Sequence, residues 1–310
     1  MNKISVIGSS NVDMIIKSSR LPRPGETVGD GSFVKVNGGK GANQAIAASR
    51  AGGNVSFISC LGNDDFAPVM LNDFKIDQLD TQFVFIEENA ATGIALILVD
   101  KKGENCISVA PGANYLMSPD HIKKAESNIK ETEIVLLQLE IPIETVLFAI
   151  ELAHGFNKKI LMNPAPAGLI DDLHMAMINS LVLNETEAEL LTGFPVETDD
   201  QIRVAAKALL EKGPQNIIIT LGAKGAFVKT SDREEFIPAF KVVALDTTAA
   251  GDVYCGNLAV AMVEGKSIFE AAKFAAAASA IAVTRLGAQP SAPTRKEIDE
   301  FIYTNRNTMN

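Results

Sequence analysis

The sequence predicts an α/β fold of three layers, in which helices cover both faces of a mostly parallel central sheet and a small β-sheet projects from this domain. Short apolar runs alternate with amphipathic segments of helical length, a pattern typical of βαβ units. Runs such as IVLLQL (134–139) and NIIIT (216–220) are apolar on both faces. A strand of this kind belongs in a sheet that helices cover on both sides.

The predicted elements of the main domain follow one another along the whole chain. Strands are expected over 3–8, 55–60, 134–139, 159–162, 181–183 and 216–221. Helices are expected over 42–51, 65–75, 119–130, 144–154, 185–192, 202–212, 250–264, 267–284 and 293–304. The alanine-rich stretch 271–282 favours helix and permits close backbone approach.

Two stretches, about 13–37 and 91–110, interrupt this pattern because they contain extended runs and turns without a helix between them. The runs are DMIIKS, FVKVN, TGIALILVD and NCISVA. We interpret them as a small sheet that covers a ligand as a lid. An ordinary β-hairpin packed on the core is the alternative.

Length and composition predict a single cytoplasmic α/β domain over residues 1–310. The chain is 47% apolar, and its N-terminal segment lacks the uninterrupted apolar region of a signal peptide. Its three cysteines, Cys60, Cys106 and Cys255, are too scattered for a disulfide framework. There is no apolar run of membrane-spanning length, so no membrane partner is expected. A formal net charge of −10 disfavours nucleic acid as a partner.

The run Asn37-Gly-Gly-Lys-Gly-Ala-Asn-Gln44 stands directly before an amphipathic helix. Its three glycines let a ligand approach the backbone, the helix N-terminus supplies free N–H groups, and Lys40 and Asn43 add polar side chains. A purely structural glycine turn is the alternative.

A second run, Asp246-Thr-Thr-Ala-Ala-Gly-Asp252, also leads into a helix. Small residues expose the N–H groups from Ala249 to Gly251, which can hold the negative charge of a phosphoryl group in transfer. Asp252 then follows in the first turn, where it can act as a general base or merely complement the helix dipole.

Two further turns could serve a nucleotide. Asn184 and Glu187 open a helix after an apolar strand, where they can orient phosphates and hydrated Mg²⁺ or form a helix cap. The turn TLGAKG (220–225) can hold a phosphate or simply reverse the chain. No G-x-G-x-x-G follows the first strand, which disfavours a dinucleotide enzyme.

Taken together, these motifs resemble the PfkB carbohydrate kinase family over essentially the whole chain. The matching runs also include GSSNVD (8–13), LE (139–140), NPAPA (163–167), NETEAE (184–189) and GAQPS (287–291). The resemblance implies a Rossmann-like α/β/α domain with a β-lid. It further implies ATP-dependent phosphorylation of D-ribose at its 5-hydroxyl, with Mg²⁺ and K⁺ as cofactors. Separately, if the lid exposes a strand edge or an apolar face, we expect two lids to pair in a homodimer.

The resemblance also implies roles for particular residues. The sugar would be bound by Asn11, Asp13, Gly39, Lys40, Asn43, Glu140 and Asp252. Asp252 would be the catalytic base, supported by the N–H groups of Ala249, Ala250 and Gly251. ATP and Mg²⁺ would contact Asn184, Glu187, Thr220, Leu221, Gly222, Ala223, Lys224, Gly225, Gly251 and Ala276. K⁺ would be held by Asp246, Thr248, Ala282, Arg285, Gly287 and Ser291.

Two other functions compete with the phosphorylation of ribose. A kinase of the same family could act on a nucleoside, on deoxyribose or on a different sugar, since specificity depends on side chains of the lid. A non-catalytic sugar or nucleotide sensor could use the same scaffold. The complete set of Asp252 and its N–H groups argues against a sensor, because a binding protein has no need of a base.

Overall fold

The computed structural model describes residues 3–306, which form two sheets and the helices around them. The strands within this range are β1 (Lys3–Ile7), β2 (Asn11–Lys17), β3 (Ser32–Gly38), β4 (Asn54–Gly62), β5 (Asp80–Glu87), β6 (Gly93–Val99), β7 (Asn105–Ala110), β8 (Ile134–Leu137), β9 (Lys159–Met162), β10 (Ser180–Asn184), β11 (Asn216–Thr220), β12 (Ala226–Lys229) and β13 (Glu234–Ile237). The α-helices are α1 (Lys40–Arg50), α2 (Phe66–Ile76), α3 (Pro119–Lys124), α4 (Glu126–Glu131), α5 (Ile143–Gly155), α6 (Asp172–Met175), α7 (Glu185–Thr192), α8 (Asp199–Glu211), α9 (Ala250–Val263), α10 (Ile268–Ala282) and α11 (Arg295–Asn305).

The central sheet has nine strands in the order β13-β12-β11-β10-β9-β8-β1-β4-β5. Across the sheet from β11 through β10, β9, β8, β1 and β4 to β5, each strand pairs in parallel with the next. Only the β11–β12 and β12–β13 pairs, at the other end, are antiparallel. The mostly parallel three-layer fold predicted from the sequence is therefore confirmed.

Consecutive residues of β8 show why both faces of the sheet must be apolar. Ile134 and Leu136 belong to a hydrophobic cluster that also contains the buried faces of α1, α9 and α10. Val135 and Leu137 belong to a second cluster with α5 and α8. Because side chains alternate between the two faces of a strand, the two clusters are the two interfaces between the sheet and its helices.

The smaller sheet has four strands in the order β3-β2-β6-β7. It is formed by the two extended stretches predicted from the sequence, although β2 begins at Asn11 and β3 continues to Gly38. Strand β7 is exposed along its whole length, and Ile16, Phe33 and Leu96 also expose apolar side chains. The sheet therefore carries apolar surface that the rest of residues 3–306 leaves exposed.

Some elements differ from the prediction. The half-exposed strand β5 and the β12–β13 hairpin were not predicted, because they lie at the two edges of the central sheet and lack a long apolar run. The predicted helix over 119–130 is two short helices that meet at Ala125. Helix α1 begins at Lys40 rather than at residue 42, which places Lys40 in the first helical turn.

Two features of this topology place distant residues together. The strand order reverses between β1 and β8, and in open α/β sheets ligands bind at the carboxyl ends of strands at such a point. Helices α1 and α9 pack backbone to backbone, since a Cβ added at Gly256 would lie 2.5 Å from the carbonyl oxygen of Gln44.

Among residues 3–306, no helix combines the length and apolar character required to cross a bilayer.

Candidate active site

The carboxylate of Asp252 lies in the first turn of α9 and is only 6% exposed. Asn43 Nδ2 donates to its Oδ2 at 2.9 Å, and Gln44 Nε2 donates to its Oδ1 at 3.0 Å. Both donors are on α1, more than 200 residues earlier in the chain. The carboxylate is thus held in one orientation by a different helix.

Glu140 is held beside the glycine-rich turn. Its Oε2 accepts hydrogen bonds from Ser9 Oγ at 2.5 Å and from the Lys40 N–H at 2.9 Å. Gly39 has a φ of 87°, and a Cβ at Gly41 would lie 2.5 Å from the backbone nitrogen of Ser9. These glycines allow the turn to pack on the end of β1, which brings Glu140 and Lys40 together.

Asp13 and Lys40 are both close enough to Asp252 for their charges to interact with its carboxylate. Burial and the nearby charges of Glu140 and Asp252 raise the pKa of Asp13 to about 6. Burial by itself lowers the pKa of Lys40, but the attraction of Asp252, Glu140 and Glu187 outweighs it and raises the pKa. Lys40 therefore interacts with three carboxylates that come from three separate parts of the chain.

Asn11, a predicted sugar-binding residue, is held by Asn114, which no sequence motif indicated. Asn114 Nδ2 donates to Asn11 Oδ1 at 2.8 Å, and Asn114 also bonds both the N–H and the carbonyl of Ser10. The amide of Asn11 is therefore oriented by Asn114, which follows the small sheet in the chain.

Asn184, Glu187 and the turn over 220–225 follow β10 and β11 at the carboxyl edge of the central sheet. Asn184 and Thr220 are register partners on β10 and β11. Asn184 and Glu187 cap α7 reciprocally, with bonds of 2.8 and 2.9 Å, so the capping alternative is realised in this structure. Burial raises the pKa of Glu187. The turn after β11 closes on itself through a 2.8 Å bond from Leu221 N–H to the Gly225 carbonyl.

The remaining nucleotide residues have ordinary surroundings. Gly222 and Gly225 adopt φ of 54° and 105°, which suits glycine in a tight turn. Ala223 and Lys224 are exposed, and Ala276 on α10 is half-buried. Glu187 alone of the predicted nucleotide residues is among the charges that act on Lys40.

The N–H groups at the start of α9 differ in their availability. Ala249 has a left-handed φ of 58°, which turns the chain into the helix. The Ala250 N–H donates to the Thr247 carbonyl at 3.2 Å, at the long end of the usual range. Within residues 3–306, the N–H groups of Ala249 and Gly251 have no intramolecular acceptor. These two groups can therefore bind an anion directly.

Hydrogen bonds join several of the residues predicted to hold K⁺. The carboxylate of Asp246 accepts the N–H groups of Thr248 and Gly287, each at 2.9 Å. Burial raises the pKa of Asp246, but these hydrogen bonds outweigh it and the net pKa is lowered. The Ala282 carbonyl accepts the Arg285 N–H at 2.9 Å. Ser291, six residues after Arg285, is buried. Asp246 thus ties the segment before α9 to the segment after α10.

Comparison with known proteins agrees with this geometry. Residues 1–295 match the sequence profile of the pfkB family carbohydrate kinases. The chain is 42% identical to a ribokinase of Haemophilus influenzae, covering 96% of this chain and 98% of that protein. It is 39% identical to a deoxyribokinase of Salmonella typhimurium, covering 97% and 99%.

A solved structure of Arabidopsis thaliana ribokinase complexed with ribose and ATP superposes with a TM-score of 0.90 at 30% identity, covering 97% of this chain and 98% of that one. The fold, the order of the motifs and the near-complete length of the matches all agree. The chain belongs to the pfkB family of carbohydrate kinases.

Proposed function

We propose that this protein transfers the γ-phosphate of ATP to the 5-hydroxyl of D-ribose, giving D-ribose 5-phosphate and ADP. The observation that carries the proposal is the buried Asp252 carboxylate, held by two amide donors next to the free N–H groups of Ala249 and Gly251. A base and an anion site at one helix N-terminus suit phosphoryl transfer. The names of the relatives at near-full coverage support ribose and ATP as substrates.

In this mechanism, Asp252 accepts the proton of the sugar hydroxyl while that oxygen forms a bond to the γ-phosphorus. The bond between the γ-phosphorus and the bridging oxygen breaks, and ADP leaves. The N–H groups of Ala249 and Gly251 stabilise the charge on the phosphoryl oxygens. Asn11, Asp13, Gly39, Lys40, Asn43 and Glu140 hold the sugar, so its hydroxyl is kept against Asp252.

The nucleotide would lie along the β10 and β11 ends, where Thr220–Gly225, Gly251 and Ala276 would contact it. The buried carboxylate of Glu187, with its raised pKa, suits Mg²⁺ or the water bound to it, since a cation would stabilise the ionised form. When bound, Mg²⁺ supplies neutralisation of phosphate charge.

Sugar preference gives the first prediction. We expect a higher kcat/KM for D-ribose than for adenosine, because Asp13, Asn43 and Glu140 present acceptors and donors to a small polyhydroxylated ring. An unpaired buried hydrogen-bonding group costs on the order of 1–3 kcal/mol. Coupled assay of ADP release over ribose, 2-deoxyribose, fructose and adenosine measures this directly. A higher value for adenosine contradicts the ribose assignment, and a higher value for 2-deoxyribose moves it to the activity named for the Salmonella relative.

Acid pH gives the second prediction. The pKa of Asp13 is raised to about 6, so this carboxyl becomes protonated at a pH where an ordinary aspartate stays ionised. A protonated Asp13 loses part of its capacity to accept hydrogen bonds from sugar hydroxyls. We therefore expect kcat/KM for ribose to be full above pH 7 and to fall as pH decreases through about 6, since this parameter reports groups of the free enzyme.

The control for this prediction is Asp13→Asn, in which the amide does not titrate. Its kcat/KM should be low but should lack the fall near pH 6. An unchanged kcat/KM between pH 7.5 and 5 in the unmodified enzyme would show that Asp13 does not control sugar binding.

A potassium requirement gives the third prediction. We propose that K⁺ binds behind the turn of Asp246 and Thr248, among Ala282, Arg285, Gly287 and Ser291, without contacting either substrate. Carbonyl oxygens suit a large monovalent ion, whereas Mg²⁺ sheds its water reluctantly. Binding there would fix the turn that presents Ala249 and Gly251, so kcat should rise more than sugar affinity. The measurement is kcat in K⁺ and in a bulky organic cation at equal ionic strength, and equal values contradict activation.

We further propose that the small sheet is the lid of a single cytoplasmic domain and that two lids pair in a homodimer. The support is the exposed apolar side chains of Ile16, Phe33 and Leu96, which the strand register places on one face of the sheet. An exposed apolar patch of this kind marks an interaction site more often than a solvated face. Asp13 stands on β2 of the same sheet, so movement of the sheet would reach the sugar site.

A further inference from the structure

Three buried amide side chains form a hydrogen-bonded chain that ends on Asp252. Gln44 and Gln138 are fully buried, and Asn163 is 8% exposed. Gln44 Nε2 donates to Asp252 Oδ1 at 3.0 Å and to Asn163 Oδ1 at 3.1 Å. Gln138 Nε2 donates to Gln44 Oε1 at 2.7 Å. None of the predicted binding roles accounts for these three amides.

The hydrogen bonds of Gln44 fix which way its amide points. An amide nitrogen has two hydrogens, and both are used here on oxygen acceptors. Turning the amide over would place its oxygen against the oxygens of Asp252 and Asn163, and its nitrogen against the donor of Gln138. Such an arrangement would leave buried polar groups unpaired, which is costly.

The two partners of Gln44 are fixed in their turn. Asn163 Nδ2 donates to the Val182 carbonyl at 2.9 Å, so Asn163 Oδ1 must face Gln44. Gln138 packs closely against the end of β1, because Gly8 has no side chain there. A Cβ at Gly8 would lie 2.0 Å from Gln138 Oε1. The strands β8, β9 and β10 thus set the orientation of an amide on α1.

We propose that Gln44 is a positioning residue for Asp252, and that Gln138 and Asn163 act by holding Gln44. The inference rests on the proposed role of Asp252 as the base. A base must lie within hydrogen-bond reach of the hydroxyl that it deprotonates. Gln44 holds one carboxylate oxygen while Asn43 holds the other, and its N–H also favours the ionised carboxylate.

A purely structural role is the competing explanation, because the same amides also tie α1 to the sheet. The two roles differ in what they change. A contact that only joins α1 to the sheet affects the free energy of unfolding. A residue that positions Asp252 affects kcat and the acid limb of the kcat profile. The kcat profile at saturating ribose reports groups of the enzyme–substrate complex, so it separates Asp252 from the sugar-binding effect of Asp13.

The test is Gln44→Met, which keeps the length of the side chain and removes the donor. We expect kcat to fall by about 10–100-fold, with a nearly unchanged KM for ribose, on the scale of a lost hydrogen bond to a charged group. The acid limb of the kcat profile should move toward higher pH, because the ionised carboxylate loses one of its two amide donors. Gln138→Met, which leaves the Gln44–Asp252 bond available, should lower kcat by about 3–10-fold.

A double substitution separates the two explanations further. If Gln138 acts through Gln44, adding Gln138→Met to Gln44→Met should cause little further loss of kcat. The control is Asn128→Leu, which removes another buried amide, one whose hydrogen bonds run to Ser5 and Ser56. It should lower the melting temperature without moving the kcat profile.

Asp252→Asn is measured in the same series. If it is inactive while folded Gln44→Met keeps normal kcat and an unshifted profile, the positioning role is wrong and the base assignment stands. If Asp252→Asn itself turns over normally, both are wrong. Should Gln44→Met not fold, Gln138→Met decides, because an unshifted profile and normal kcat in that variant also contradict the proposal.

Discussion

Asp252→Asn should fold, bind ribose and lose nearly all turnover. We expect kcat to fall by about 10²–10⁴, the usual contribution of general acid–base catalysis. The amide keeps the shape of the side chain but cannot accept the proton of the 5-hydroxyl. The two carboxylate oxygens accept hydrogen bonds from Asn43 Nδ2 and Gln44 Nε2, and the NH₂ group of the variant cannot accept one of them. A moderate loss of stability is therefore expected as well.

A matched control separates catalysis from the helix dipole. Asp199 is an exposed carboxylate in the first turn of α8, as Asp252 is a buried one in the first turn of α9. Loss of a first-turn charge costs only about 0.3–1 kcal/mol of stability. Asp199→Asn should therefore leave kcat unchanged. Near-normal kcat in correctly folded Asp252→Asn would contradict the role of Asp252 as the base.

Lys40→Met should cause the second large loss. Lys40 is the cation among Asp252, Glu140 and Glu187, and their attraction raises its pKa despite burial. Removing one partner of a buried charge set costs on the order of 3–5 kcal/mol of folding stability. We also expect kcat/KM for ribose to fall by about 10²–10³-fold, the scale on which binding weakens when one partner of a buried charged contact is removed. Steady-state kinetics at pH 7.5 measure it.

The control for Lys40 is Lys207→Met on the surface of α8, where the side chain is 70% exposed and pairs only loosely with Glu211. An exposed pair of this kind contributes little, so kcat/KM should not change. A Lys40→Met enzyme that keeps kcat/KM within a factor of about three of the unmodified protein would show that the carboxylates need no cation from the protein.

The sequence predicted best what depends on neighbouring residues. The apolar runs defined the parallel strands because a strand buried on both faces admits few polar side chains. The glycine-rich turn was predicted to admit a ligand because Gly38, Gly39 and Gly41 cluster at a helix start. In the structure the atoms that come close to Gly39 and Gly41 are backbone atoms of residues 8–11. Strand β5 was missed because an edge strand is half-exposed and its pattern is weaker.

The support for the site could not be predicted, because it depends on contacts between distant segments. Gln44 and Asp252 are 208 residues apart, and the close packing of α1 on α9 brings them together. Ser9 supports the site by donating a hydrogen bond to Glu140, and Asn114 does so by donating one to Asn11. Both contacts also join segments that are distant in the sequence. In the predicted anion site, the engagement of the Ala250 N–H with Thr247 is a property of the turn geometry, which residue types alone do not define.

The most direct test of the central claim follows the phosphoryl group itself. Purified protein is incubated with ATP, Mg²⁺, K⁺ and D-ribose, and the products are followed by ³¹P NMR while ADP is measured in parallel. The account predicts one ADP for each phosphorylated sugar, with the phosphate on the 5-oxygen, and loss of both signals together in Asp252→Asn. ADP formation that does not depend on ribose, or a phosphate on another hydroxyl, would contradict it.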